Sequence, residues 1–199
     1  TLETETLEIP NYSALAAQNQ GALRFNTENT AHYITDYQGV LLEQILDTIT
    51  DLDSTSKLQV VQERRLLAEA GSISFADLVP VIEKLTEETS YLVVSGVKAV
   101  LNGLKLFVDE GSECEKAYHE LVVKLSKFNF DRLGFEAKEG ESDEDELVRQ
   151  IVVGSLIAAD DQAASQEASR IFADHQEDLE KLPAAIRLHI LINQIKHYE

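Results

Sequence analysis

Methionine and tryptophan are absent from this chain, cysteine occurs once, and there are only 3 prolines. With no methionine and a first residue of Thr1, the 199 residues read as an excised or processed piece of a longer product. A single cysteine excludes an internal disulfide and fits a reducing, cytoplasmic setting. Cys114 stands between Glu113 and Glu115, which disfavour a thiolate, so it reads as a small buried or half-buried apolar residue. The 3 prolines and 9 glycines argue against a disordered or turn-rich chain. No stretch nears the roughly 18 uninterrupted apolar residues of a membrane span, and the acidic start Thr1–Pro10 lacks the basic flank of a signal peptide.

Positive charge is also scarce. Against 36 acidic residues there are 17 lysines and arginines, a formal net charge of −19. Such a surface repels phosphate backbones and anionic headgroups, so neither nucleic acid nor membrane is an expected partner. It attracts cationic peptide ends, within a screening length of about 8 Å. Its simpler consequence is solubility.

What is present is mostly helical pattern. Residues 1–37 carry short β-like pieces at Leu7–Ile9, Leu23–Phe25 and Ala31–Tyr37, with a turn at Asn26–Asn29. These are too few to make a sheet and read as the remnant of one whose other strands lie elsewhere. From Gly39 the apolar period becomes 3.6. Eight helices are expected over residues 38–199. The stripe Val40–Ile49 is the first, and Leu58–Ala68, ended by Gly71, is the second. Ser74 and Asp77 cap a third that Pro80 kinks or delays. Ser90–Val108 is a fourth, with Gly96 and Gly103 on one smooth face open to a neighbouring backbone. The others begin at Ser112 with a Ser112–Glu115 capping box, at Ser142, near Gln162 and at Pro183. Short connections make antiparallel hairpins, and stacked hairpins make an α-α superhelix of the HEAT or armadillo kind.

Chemistry is sparse. His32, His119, His175, His189 and His197 form no i, i+4 pair; His119-Glu120 starts like a zinc motif, but Val123 fills the second ligand position. There is no phosphate loop, dinucleotide turn or nucleophile elbow. The acidic run Glu139–Glu146 lacks the central glycine of a calcium loop and reads as a helix start. No catalytic residue and no metal ligand is therefore assigned. Two arginines on apolar stripes are the candidate site residues. Arg149 is placed to pair with Asp145 one turn earlier, and Arg65 follows Leu58 and Val61; each is a core-edge salt bridge or a reader of a carboxylate.

The order of several short motifs resembles the C-terminal helical domain of M1 zinc aminopeptidases, with the lactic-type bacterial branch looking closest. Tyr33–Tyr37 is similar to the Tyr-Arg-Val-x-Tyr strand of that family, with Ile34 at the arginine. Leu67–Gly71 resembles Leu-Ala-x-x-Gly, with Arg65 where an aromatic is usual. Leu133-Gly134-Phe135, Glu141-Ser142 and Leu147-Val148-Arg149 resemble Leu-Gly-Trp, Glu-Ser/Asp and Leu-Leu-Arg, and Ala158–Asp161 sits at a short Ala-x-x-Gly-Asp turn. The resemblance implies that residues 1–37 are the remnant of a β-sandwich and 38–199 an all-α domain. That domain would cap the zinc site of an upstream thermolysin-like domain and control peptide access. The zinc belongs to that domain, so no cofactor is expected here, and the partners are the catalytic and β-sandwich domains of the same polypeptide and peptide substrates. Arg149, matching the family's arginine, would line or brace the peptide cavity, and Arg65 is the second candidate lining residue. The competing expectation is a free-standing acidic α-solenoid that binds a protein partner.

Overall fold

The computed structural model describes residues 8, 10–18, 23–27 and 29–197, and among these the architecture is helical, without a strand. The expected piece Leu7–Ile9 lies outside the described residues apart from Glu8. The other two pieces form no strand among the described residues. Leu23–Phe25 and Ala31–Tyr37 are irregular or extended backbone with no ladder partner, and α1 (Tyr12–Gln18) is a helix inside the region read as strands. The segment is held by side chains instead. Phe25 N–H donates to the Tyr37 hydroxyl (2.8 Å), and Arg64 donates to the Tyr37 carbonyl (3.2 Å). The Asn26–Asn29 turn is present, both asparagines in the left-handed region that their short side chains tolerate.

From Gly39 onward there are eight α-helices, as the apolar period predicts: α2 (Gly39–Thr48), α3 (Ser54–Glu69), α4 (Val79–Glu83), α5 (Tyr91–Lys105), α6 (Glu113–Leu133), α7 (Asp143–Ala158), α8 (Gln162–His175) and α9 (Arg187–Lys196). Polar caps set most starts. Asp53, Ser112, Ser142 and Asp161 each accept the amide three residues on, at 2.9–3.2 Å. Ser142 and Asp145 complete a reciprocal capping box, as do Ser74 and Asp77 on the 3₁₀ turn before α4. At Ser112 the expected box is half formed, because the Glu115 carboxylate accepts from Gly111 N–H instead (2.7 Å). Pro80 sits in the first turn of α4 and delays that helix, as its missing N–H dictates. Pro183 does not open a helix: turns follow it and α9 begins at Arg187.

Packing joins both adjacent and alternate helices. α6 lies against α7 and α8 against α9, while α3, α5, α7 and α9 pack on one another in succession. Two of the α5 contacts depend on glycine, although side chains, not a helix backbone, fill the space. A Cβ on Gly96 would stand 2.7 Å from Leu58 Cδ1, and one on Gly103 would stand 2.2 Å from Phe75 Cε1. Buried apolar residues fall into two main cores. One joins Tyr37, Ile45, Ile49, Val61, Leu78, Ile82, Val93 and Val100; the other joins Phe135, Val153, Leu156, Ile171, Ile186 and Ile190. Val123 touches both, and a small cluster of Leu133, Val148 and Val152 lies between α6 and α7.

Candidate functional site

The polar chemistry of the chain concentrates where α6 turns into α7. α6 ends at Leu133 because Gly134 takes φ +60°, a value that L side chains adopt only with strain. The chain then loops to Ser142, whose cap starts α7. This places Glu141 beside Arg149, and the two form an ion pair. Arg149 is only 2% exposed, the bulkiest of the fully buried side chains among the described residues. Its hydrogen bond is the main reason the Glu141 carboxyl is held below its ordinary range.

The expected Arg149–Asp145 pair is therefore corrected. Asp145 already serves the Ser142 cap, and its other oxygen accepts from Arg132 on α6. That contact holds the Asp145 carboxyl low, ahead of the cap bonds. Arg132 also donates to Asn129 Oδ1 (3.1 Å), and Asn129 Nδ2 donates to the Glu88 carbonyl (2.7 Å). The Glu88 side chain accepts from Lys57 on α3, itself buried. A continuous polar chain thus runs from α3, through the turn before α5, along α6 and into α7. Its links between elements join residues 13, 31 and 41 positions apart, so no local spacing announces them.

Arg65 has a different setting. It pairs with Glu69 one turn on, with the two side chains 30% and 44% exposed, on the outer face of α3. It shares no partner with Arg149, so the two candidates do not make one site.

Three other side chains complete the inventory of reactive groups, and one of them, Cys114, departs from expectation. Cys114 is exposed, near the start of α6, and not the buried or half-buried residue expected. It rims an apolar cavity of about 660 Å³ whose walls include Phe75, Leu104, Phe107, Tyr118 and Leu121. Phe75 and Phe107 have ring centroids 5.6 Å apart, and burial raises the Tyr118 phenol. His175 caps its own helix, Nδ1 lying 2.9 Å from the Ile171 carbonyl. His189 of α9 lies over Gly154 of α7, where a Cβ would come within 2.5 Å of the ring; burial and then Lys98 of α5 push its pKa down.

Among the described residues no group of three or more His, Cys, Asp or Glu side chains is arranged to hold a metal ion. The zinc implied by the resemblance finds no ligand set in them. Nor is any helix of the described residues long and apolar enough to cross a membrane.

Residues 23–199 match the family described as "ERAP1-like C-terminal domain". The chain is 53% identical over 197 residues to an aminopeptidase N of Lactococcus lactis subsp. lactis, covering 98% of this chain and 23% of the relative. It is 34% identical over 197 residues to aminopeptidase N of Lactobacillus helveticus, covering 99% and 23%. A puromycin-sensitive aminopeptidase of Caenorhabditis elegans is 24% identical over 169 residues, covering 83% and 18%. The chain thus spans under a quarter of the length of these relatives.

Proposed function

Because this chain belongs to the ERAP1-like C-terminal domain family of M1 aminopeptidases, we propose that it is the helical cap of a zinc-dependent aminopeptidase, covering an active site built by the rest of a cytoplasmic polypeptide. One observation carries this reading: almost the whole chain aligns with under a quarter of aminopeptidase N, at up to 53% identity. Residues 38–199 are the cap, a superhelical stack of hairpins, and residues 1–37 are the connection to the β-sandwich and catalytic parts. The cap excludes bulk water and folded proteins and admits peptides, and its negative charge favours their cationic N-termini.

Within it, Arg149 braces. A guanidinium 2% exposed and paired to Glu141 fixes the α6–α7 turn from inside. Arg65, partly exposed, is the candidate for contact with peptide. The test is Arg149→Ala and Arg65→Ala in the intact aminopeptidase, with kcat/KM measured for a dipeptide and for peptides of about ten residues, beside thermal melts. Arg149→Ala is expected to lower Tm and to change the ratio of long- to short-peptide turnover. Arg65→Ala is expected to change that ratio at unaltered Tm. If both variants keep the wild-type ratio while folded, the capping reading is refuted.

A further inference from the structure

The extended segment before α2 lies across α3 and leaves a cavity of about 480 Å³ between them. His32, Tyr33 and Ile34 form one wall, and Gln59, Glu63 and Leu66 the other. Glu63 is only 7% exposed. Its Oε1 accepts from Gln59 Nε2 (3.1 Å), while the buried Oε2 has no hydrogen-bond partner. Burial outweighs the lowering contributions of Gln59, the Thr35 amide and Arg24, so the carboxyl sits above its ordinary range.

The chain's own cations do not remedy this. Arg24 acts on the carboxylate at a distance and lowers it, but its Nη2 goes to Ser56 Oγ (2.9 Å) and its buried Nη1 makes no hydrogen bond to Glu63 or to any other group. Arg64 turns to the Tyr37 carbonyl, Arg65 to Glu69, and Lys57 to Glu88. A buried carboxylate with an idle acceptor is costly to keep, and a cation bearing N–H donors is the group that offsets the cost.

We propose that this cavity is a binding site for an alkylguanidinium or alkylammonium group, the side-chain chemistry of arginine and lysine, with the Glu63 carboxylate as its anchor. The walls suit such a group beyond its charge. Ile34 and Leu66 offer apolar surface to a methylene stem, and the half-exposed Tyr33 ring offers a face to a cation. Residues 31–34 are all exposed, so the wall they form can yield as the group enters. The group comes either from a basic residue in the remainder of the polypeptide or from a peptide.

The experiment is a carboxyl ¹³C NMR titration of the 199-residue chain with methylguanidinium, beside tetramethylammonium at equal ionic strength. The Glu63 resonance should move saturably in the millimolar range with methylguanidinium, and its titration should shift to lower pH. Tetramethylammonium, which has the charge but no N–H, should leave it in place. Ile34→Arg, which supplies a guanidinium from the cavity wall, should reproduce the shifted resonance without probe and abolish the response. Glu63→Gln, followed through the Ile34 and Leu66 amides, should bind the probe at least about tenfold more weakly. An absent response, an equal response to both cations, or undiminished binding by Glu63→Gln overturns the proposal. The same titration on the intact polypeptide separates the two sources. A Glu63 resonance already shifted and unresponsive identifies an internal basic residue, and a responsive one identifies a peptide. Neither result depends on turnover, so this site and the capping reading stand or fall separately.

Discussion

Replacing Asn129 by alanine tests whether the polar chain through α6 holds the helices together. Asn129 is 1% exposed and spans two elements, donating to the Glu88 carbonyl at 2.7 Å and accepting from Arg132 at 3.1 Å. Truncation removes one neutral hydrogen bond worth about 1 kcal/mol and one charge-assisted bond worth about 1.5–3. It also strands the Glu88 carbonyl, although water entering the space left by the amide recovers part of that loss. The net destabilisation is therefore about 2–4 kcal/mol. For a chain of this size each kcal/mol lowers Tm by about 2–4 °C, so a fall of about 4–16 °C is expected. Urea denaturation followed by far-UV circular dichroism gives the free energy, and the cycle with Arg132→Ala gives the coupling. Because the two residues share a bond, the double variant should lose at least about 0.5 kcal/mol less than the sum of the singles. An Asn129→Ala loss below about 0.5 kcal/mol, or strict additivity with Arg132→Ala, refutes the reasoning.

Further expectations concern packing, pH and reactivity. Gly154→Ala gains about 1 kcal/mol of helix propensity, but its Cβ would lie 2.5 Å from the His189 ring, an overlap costing about 1–3 kcal/mol. It should be neutral to destabilising in the wild type and stabilising in a His189→Ala background; the same sign in both backgrounds refutes the clash. His189 is depressed from 6.5, so the unfolded chain takes up its proton first and stability should fall as pH drops below about 6.5. His189→Gln should flatten the urea midpoint between pH 5 and 7, and an unchanged slope sinks the assignment. Asp145 is also depressed, so the stability it contributes is present above the ordinary carboxylate range and lost as pH falls through its lowered folded value. Arg132→Ala should therefore lessen the acid sensitivity below about pH 4. The Cys114 thiol should react with a thiol reagent in the native protein without denaturant, and a rate limited by unfolding would contradict its exposure.

The helices were legible in the sequence because each carries its own evidence. The apolar period from Val40 to Ile49 and the caps at Ser74 and Ser142 act over three or four residues, and local spacing suffices to find them. The residues before α2 form no strand because Leu23–Phe25 and Ala31–Tyr37 have strand composition but no strand to pair with among the described residues; the Tyr37 hydroxyl and Arg64 hold them instead. Arg149 was found from its place on an apolar stripe, but its partner was missed. An i, i+4 rule favours Asp145, whereas the turn at Lys138–Glu141 brings Glu141 to it and Asp145 goes to Arg132. Glu63 gave no sign at all. In the sequence it is one more charge in Gln62-Glu63-Arg64-Arg65, and only the segment lying over it makes it buried.

The division of the apolar interior bears on how the chain comes apart. One core gathers residues from Tyr37 to Leu125 with Ala159, the other residues from Phe135 to Ile190, and Val123 is a shared border contact. Cooperativity across such a border rests on the few side chains that touch it, Val123 and the small cluster that Phe130 joins to Tyr91 and Val94 of α5. The α8–α9 hairpin, with Leu188 and Ile195 exposed on its outer side, should release its amides to hydrogen exchange while α3 and α5 still protect theirs. Denaturation would then pass through a half-open species, and the end of the stack carrying α9 would be the place where proteolysis begins.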